Sequence, residues 1–122
     1  MAVILVIDDE AAMRRLIGRV LQPLGHIVHE AADGRAGLEL FRRQRPALVI
    51  SDIVMPDGEG IETIRQMRRE APETPILAIS GSVNQSLYLR AATGLGASAS
   101  LEKPFAPDDL AAAVESLLPS PG

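Results

Sequence analysis

The chain has no cysteine and no tryptophan, and one tyrosine and two phenylalanines are its only other aromatic rings among 122 residues. Missing thiols exclude a disulfide framework and a thiolate metal centre, and they fit a reducing compartment, so a cytoplasmic location is expected. With rings so scarce, a core must come from Val, Ile, Leu and Ala, a composition suited to parallel strands buried on both faces. No apolar run approaches the roughly 20 residues that cross a bilayer. The opening stretch MAVILVIDDE meets three acids before it could serve as a leader, so neither export nor membrane insertion is expected. Clustered cations are also lacking. A net charge of −4 argues against nucleic acid as a direct ligand of this domain. Lysine occurs once, at Lys103, so only that residue can supply a compact ammonium.

What the chain does have is alternation. Apolar runs at residues 3–7, 27–31, 47–50, 76–79 and 97–101 are separated by segments with apolar residues at helical spacing. Met13, Leu16, Ile17, Val20, Leu21 and Leu24 mark a first helix that Gly25 stops. Asp33-Gly34 opens a second, through Leu38, Leu40 and Phe41 to Pro46, and Ile61, Ile64 and Met67 mark a third, closed by Pro72 and Pro75. Residues 84–93, where Leu87, Tyr88 and Leu89 are adjacent, keep the weakest period and are taken as helix. A last helix, with its cap region at Asp108, puts Leu110, Val114, Leu117 and Leu118 on one face before Pro119. The expectation is one doubly wound α/β domain at 1–118, with a five-stranded parallel sheet and right-handed crossovers, then a tail or linker start at 119–122. Arg65, Arg68 and Arg69 read as the wet face of the third helix. His26 and His29, at i and i+3 about the second strand, read as surface residues unable to share a metal.

In a parallel sheet all carboxyl ends of strands share one edge, where α/β proteins bind ligands. Here the first run ends in Asp8-Asp9, the third in Asp52, the fourth in Ser80 and the fifth in Glu102-Lys103. In the doubly wound order 2-1-3-4-5, the first strand adjoins the third at ~4.8 Å, and Lys103 starts two strands, ~10 Å, from Asp52. A lysine stem can span much of that gap. Carboxylates this close either retain a proton or recruit a cation, and a hard, oxygen-bound, partly hydrated Mg2+ fits best. Asp8, Asp9 and Asp52 would supply carboxylates and Val54 its backbone carbonyl. A carboxylate between a metal and an ammonium, with the Ser80 hydroxyl nearby, is placed to accept a phosphoryl group. Pro56, Gly58 and Gly60 allow the backbone to fold tightly beside it.

The acidic pair Asp8-Asp9, the block DIVMPDGEG from Asp52, the pair Ser80-Gly81 and the run Lys103-Pro104-Phe105 occur in the order found in receiver domains of bacterial two-component response regulators. The chain resembles that family along nearly its whole length. The resemblance implies a flavodoxin-like (βα)5 fold with strand order 2-1-3-4-5. It also implies phosphorylation of Asp52 by a sensor histidine kinase or histidine phosphotransfer protein, Mg2+ held through Asp8 and Asp9, and contacts from Ser80 and Lys103 to the phosphoryl group. One position departs: three residues before the lysine the family often carries a switching aromatic, and here stands Ser100. Signalling through the Ser80 loop and residues 84–93, with Tyr88 as reporter, is therefore expected instead.

Taken singly, these residues have plain structural readings: an acidic helix start for Asp8-Asp9-Glu10, a turn for Asp52 and for Ser80-Gly81, and a solvated charge for Lys103. Their joint placement at successive strand ends favours a phosphoacceptor that sheds its own phosphoryl group, not a turnover enzyme. An aspartyl-phosphate phosphohydrolase is the first alternative. It is weakened because the position two beyond a nucleophile, where such enzymes often place a second aspartate, holds Glu10 after Asp8 and Val54 after Asp52. An interaction scaffold indifferent to phosphorylation is the second, weakened because the site residues are all present. The length suits a receiver without an output domain, either free-standing or part of a larger regulator or hybrid kinase.

Overall fold

The structure is a computed structural model that describes residues 1–53, 59–81, 94 and 96–118. Strands β1 (Val3–Ile7), β2 (Ile27–Ala31), β3 (Leu48–Asp52), β4 (Ile76–Ser80) and β5 (Ala99–Glu102) form one parallel sheet in the order β2-β1-β3-β4-β5. Helices α1 (Ala11–Leu21), α2 (Gly34–Gln44), α3 (Glu59–Glu70) and α4 (Pro107–Leu117) cover it. The helix expected at residues 84–93, Tyr88 included, lies outside the described residues, as does the tail at 119–122.

Period-two alternation along the strands divides the core in two. Leu5, Ile7, Val49 and Ala78 face Phe41, Ile64 and Met67 of α2 and α3. Ile4, Val6, Leu48, Ile50, Leu77 and Ile79 face Ile17 and Leu21 of α1 and Leu110 and Val114 of α4. β3 and β4 are buried throughout, which is why their runs are apolar up to the closing Ser51-Asp52 of β3 and Ser80 of β4. Gly37 allows α2 to lie close on β1, since a Cβ there would fall 2.5 Å from Ile7 Cδ1.

Helix ends follow local chemistry. α1 stops at Leu21, a short 3-10 turn over Gln22–Leu24 follows, and Gly25 at φ 94° turns the chain into β2. Asp33 caps α2 by accepting from the Ala36 N–H at 2.8 Å. At α4 the cap expected at Asp108 falls elsewhere: Pro107 opens the helix and the Asp109 carboxylate accepts from the Ala106 N–H at 3.1 Å.

Two other expectations change. Arg68 is not on a wet face: its half-buried guanidinium donates to the Gly96 carbonyl through Nε (3.0 Å) and Nη2 (2.6 Å), tying the end of α3 to the chain entering β5. Burial pulls its pKa down. Gly96 sits at φ +126°, and a Cβ there would meet Arg68 Cγ at 2.8 Å. His26 is not a surface residue either. Its side chain is 8% exposed, its Nδ1 accepts from the Ala2 N–H at 3.3 Å, and its Nε2 lies 3.7 Å from Glu115 of α4. A histidine immediately before a strand looks exposed in sequence because the helix that covers it arrives from the other end of the chain.

Candidate functional site

Three strand ends and one loop build the site. Asp8 directly follows β1, and its N–H continues the ladder to the Ala31 carbonyl at 3.1 Å. The residue is fully buried. Its Oδ1 accepts from the Glu10 N–H at 2.8 Å, which leaves Oδ2 to face across the sheet. Asp52 closes β3, also buried, and the next N–H, that of Ile53, donates to the Ile79 carbonyl at 3.1 Å. Gly60, in the first turn of α3, rests against this strand end: a Cβ there would lie 2.6 Å from Ile53 Cα and 2.7 Å from the Asp52 carbonyl oxygen.

Lys103 comes from beyond β5. Its N–H donates to the Ser80 carbonyl at 2.8 Å, and its stem passes Gly81, where a Cβ would fall 3.0 Å from Lys103 Cβ. The absent side chain at Gly81 leaves that path open. The ammonium ends 3.0 Å from Asp8 Oδ2, 3.0 Å from Asp52 Oδ2 and 3.5 Å from Glu10 Oε1. Ser80 is fully buried at the end of β4, on the same edge. The peptide bond Lys103–Pro104 is cis. An open cavity of about 440 Å³ lies over these groups, lined by Asp9, Glu10, Met13, Asp52, Gly81, Lys103 and Pro104.

Charge at this edge is unbalanced. Burial pushes the Asp8 carboxyl above its ordinary range, against the Glu10 N–H and the Lys103 ammonium, which both favour the anion. Burial likewise opposes charge on Lys103, but hydrogen bonds and attraction from Asp8 and Asp52 outweigh it and raise the ammonium's pKa. Asp8, Asp9, Glu10 and Asp52 each bring a carboxylate oxygen within 4.8 Å of the others. One lysine cannot neutralise four carboxylates. Two of them, Asp9 and Glu10, are exposed to the cavity, so a hydrated hard cation can reach an all-oxygen donor set, and Mg2+ fits these residues.

The structure thus brings together Asp8, Asp9, Asp52 and Lys103, with Ser80 on the same edge, while Val54 lies outside the described residues. Ser100 stands exposed on β5, opposite Ala78. Sequence reasoning missed two contributors. Glu10 joins the acidic cluster, and the run Asp8-Asp9-Glu10 itself carried that signal. Arg14 of α1 donates to the Asp8 carbonyl at 2.7 Å, and nothing in its spacing sets it apart from its neighbour Arg15.

The profile of the response regulator receiver domain matches residues 4–115. The chain belongs to that family. This receiver is 38% identical over 117 residues to the "probable transcriptional regulator ycf27" of Porphyridium aerugineum, covering 94% of this chain and 47% of that protein. It is 38% identical over 115 residues to the response regulator MprA of Mycolicibacterium vanbaalenii, covering 94% and 49%. The receiver therefore spans about half the length of the curated relatives it matches. Among solved structures, the chemotaxis response regulator CheY4 of Vibrio cholerae superposes with a TM-score of 0.87 at 32% identity, over 97% of this chain and 99% of that one. The receiver domain of NtrX from Brucella abortus superposes at 0.88 and 32%, over 94% and 97%. In this receiver the sheet order brings the ends of the first, third and fourth strands together at the acidic edge. Among the described residues, no helix is long and apolar enough to cross a membrane.

Proposed function

We propose that this receiver, spanning residues 1–118, accepts a phosphoryl group on Asp52 from a sensor histidine kinase or histidine phosphotransfer protein and passes a conformational change to a partner or output domain. The observation that carries this reading is the Lys103 ammonium 3.0 Å from both Asp8 and Asp52, beside a carboxylate cluster that attracts a cation. An Asp52 oxygen attacks the phosphorus of a phosphohistidine as the P–N bond breaks. The electron pair and a proton go to the departing imidazole, leaving an acyl phosphate. Asp8, Asp9, Asp52 and the Val54 carbonyl would hold Mg2+, which when bound offsets negative charge on the transferring oxygens.

Lys103 then exchanges one of its carboxylate partners for a phosphoryl oxygen. The Ser80 hydroxyl, from the neighbouring strand end, hydrogen-bonds another. The role is that of a switch in the cytoplasm, without direct nucleic-acid contact by this domain. Its signal leaves by the Ser80 loop, because Ser100 is too small to act as a rotating aromatic. Intact mass after incubation with acetyl phosphate tests the proposal. A single phosphoryl adduct is expected that requires Mg2+ and vanishes in Asp52→Asn; full labelling of that variant, or labelling undiminished by excess chelator, overturns it.

A further inference from the structure

We infer that Arg14 is a positioning residue for the metal-binding edge: it clamps the backbone that carries Asp8 and Asp9, and Glu30 of β2 holds the clamp in place. This inference rests on the receiver reading above and extends it to a residue outside the acidic cluster. The observations are local. Arg14 Nη1 donates to the Asp8 carbonyl at 2.7 Å, and Nε donates to Glu30 Oε1 at 3.2 Å. The arginine side chain is only 17% exposed. α1 begins at Ala11 with no side-chain cap, so the turn from Asp8 to Ala11 gains no fixing from that usual source. It is closed instead by the Glu10 N–H on Asp8 Oδ1 (2.8 Å), the Arg14 N–H on the Glu10 carbonyl (3.2 Å) and the guanidinium on the Asp8 carbonyl.

Two effects of Arg14 on a divalent cation oppose each other. As a positive charge near the cluster it repels the ion. As a clamp it holds Asp8 and Asp9 where their carboxylates converge with Asp52, so that binding need not first order the turn. Glu30 favours the second effect twice over, because its carboxylate offsets the charge of Arg14 and fixes the direction of the guanidinium. The sign of the mutational effect therefore separates them: loss of a mere repelling charge tightens Mg2+ binding, whereas loss of a clamp weakens it.

The experiment is an Mg2+ titration of the intact chain without phosphodonor, read by the amide shifts of Asp8, Asp9 and Asp52, on wild type, Arg14→Ala, Arg14→Lys, Glu30→Gln and Arg15→Ala. The expected result is an Mg2+ dissociation constant about tenfold higher in Arg14→Ala. Arg14→Lys, which keeps a donor in reach of the carbonyl, recovers part of the loss. Glu30→Gln shows a smaller loss and Arg15→Ala none. With acetyl phosphate, the Mg2+ concentration for half-maximal labelling of Arg14→Ala rises while the rate at saturating Mg2+ is kept. Unchanged or tighter Mg2+ binding in Arg14→Ala overturns the clamp, and so does equal weakening in Arg15→Ala. Should Arg14→Ala fail to fold, Arg14→Lys and Glu30→Gln carry the test, and wild-type affinity in both overturns the clamp. A wild-type chain that binds no Mg2+ at all refutes the Mg2+-dependent phosphoacceptor function proposed above, a result distinct from any of these.

Discussion

At Asp8 the balance of burial against hydrogen bonding sets a pH dependence. The folded pKa lies above the unfolded value of 3.8, so the native state retains the proton longer than the unfolded chain. The stability this group contributes is full below 3.8 and is lost as pH rises through the folded value. Asp8→Asn removes that loss. In the absence of metal, the melting temperature of the variant is expected to gain on wild type as pH is raised from about 3 to about 6; a constant difference, measured by thermal unfolding, would contradict the assignment. Lys103 has the same sign at the other end of the scale, its stability full below 10.5 and lost as pH rises through the raised folded value. An expectation from sequence alone is that losing this lysine harms switching more than folding, because an acidic site at a strand edge reads as solvated. The site is not solvated in the structure, which bears on the folding half of that expectation. The lysine side chain is 11% exposed, and those of Asp8 and Asp52 are 0% and 5%. Lys103→Met leaves buried carboxylates without their cation, so its melting temperature at neutral pH should fall by roughly 5–10 °C, with Mg2+ restoring part of it. An unchanged melting temperature would show that the ammonium is structurally idle. Lys103 was legible because it is the only lysine, and Asp8 and Asp52 because each breaks an apolar run. Arg14 was illegible because its target is a backbone carbonyl, which no side-chain pattern announces.

Among the elements, α3 rests against the strand end that carries Asp52. Its first turn can approach β3 only because Gly60 lacks a Cβ, and the atoms in the way are backbone, which cannot yield as a flexible side chain would. Gly60→Ala improves helix propensity by about 1 kcal/mol yet forces the helix off the Asp52–Ile53 peptide. The net effect expected in urea unfolding is a loss of about 1–3 kcal/mol, together with slower labelling of Asp52. Stabilisation by the alanine would mean that the contact is loose. The glycine-rich turn after Asp52 was readable as a tight approach, although Gly58 lies outside the described residues. Element ends were harder. Asp108 and Asp109 are both plausible caps by type, and only the backbone shows that Asp109 reaches the Ala106 N–H. Arg68 fitted a wet helix face by its spacing, but its partner, the Gly96 carbonyl, lies 28 residues on.

Across the whole molecule, alternation of apolar runs and helical spacings was enough to reveal a parallel sheet with polar groups gathered at one edge. Strand order was not: nothing in the runs tells which strand adjoins β1, and the resemblance to receivers supplied the order that the sheet has. The two-faced core follows from period-two alternation once that order is known, with α2 and α3 on one face and α1 and α4 on the other. One consequence is that an acid from β1, an acid from β3 and a lysine from beyond β5, remote in sequence, meet within 3.0 Å contacts at a single point. The central claim is that this point makes Asp52 the phosphoryl acceptor. Its most direct test is to phosphorylate the intact chain with acetyl phosphate and Mg2+, reduce the acyl phosphate with borohydride, and locate the resulting homoserine by peptide mass spectrometry. Homoserine at position 52 and at no other aspartate is the result expected; homoserine at Asp8 or Asp9, or none at position 52 despite a phosphoryl adduct on the intact chain, would contradict it.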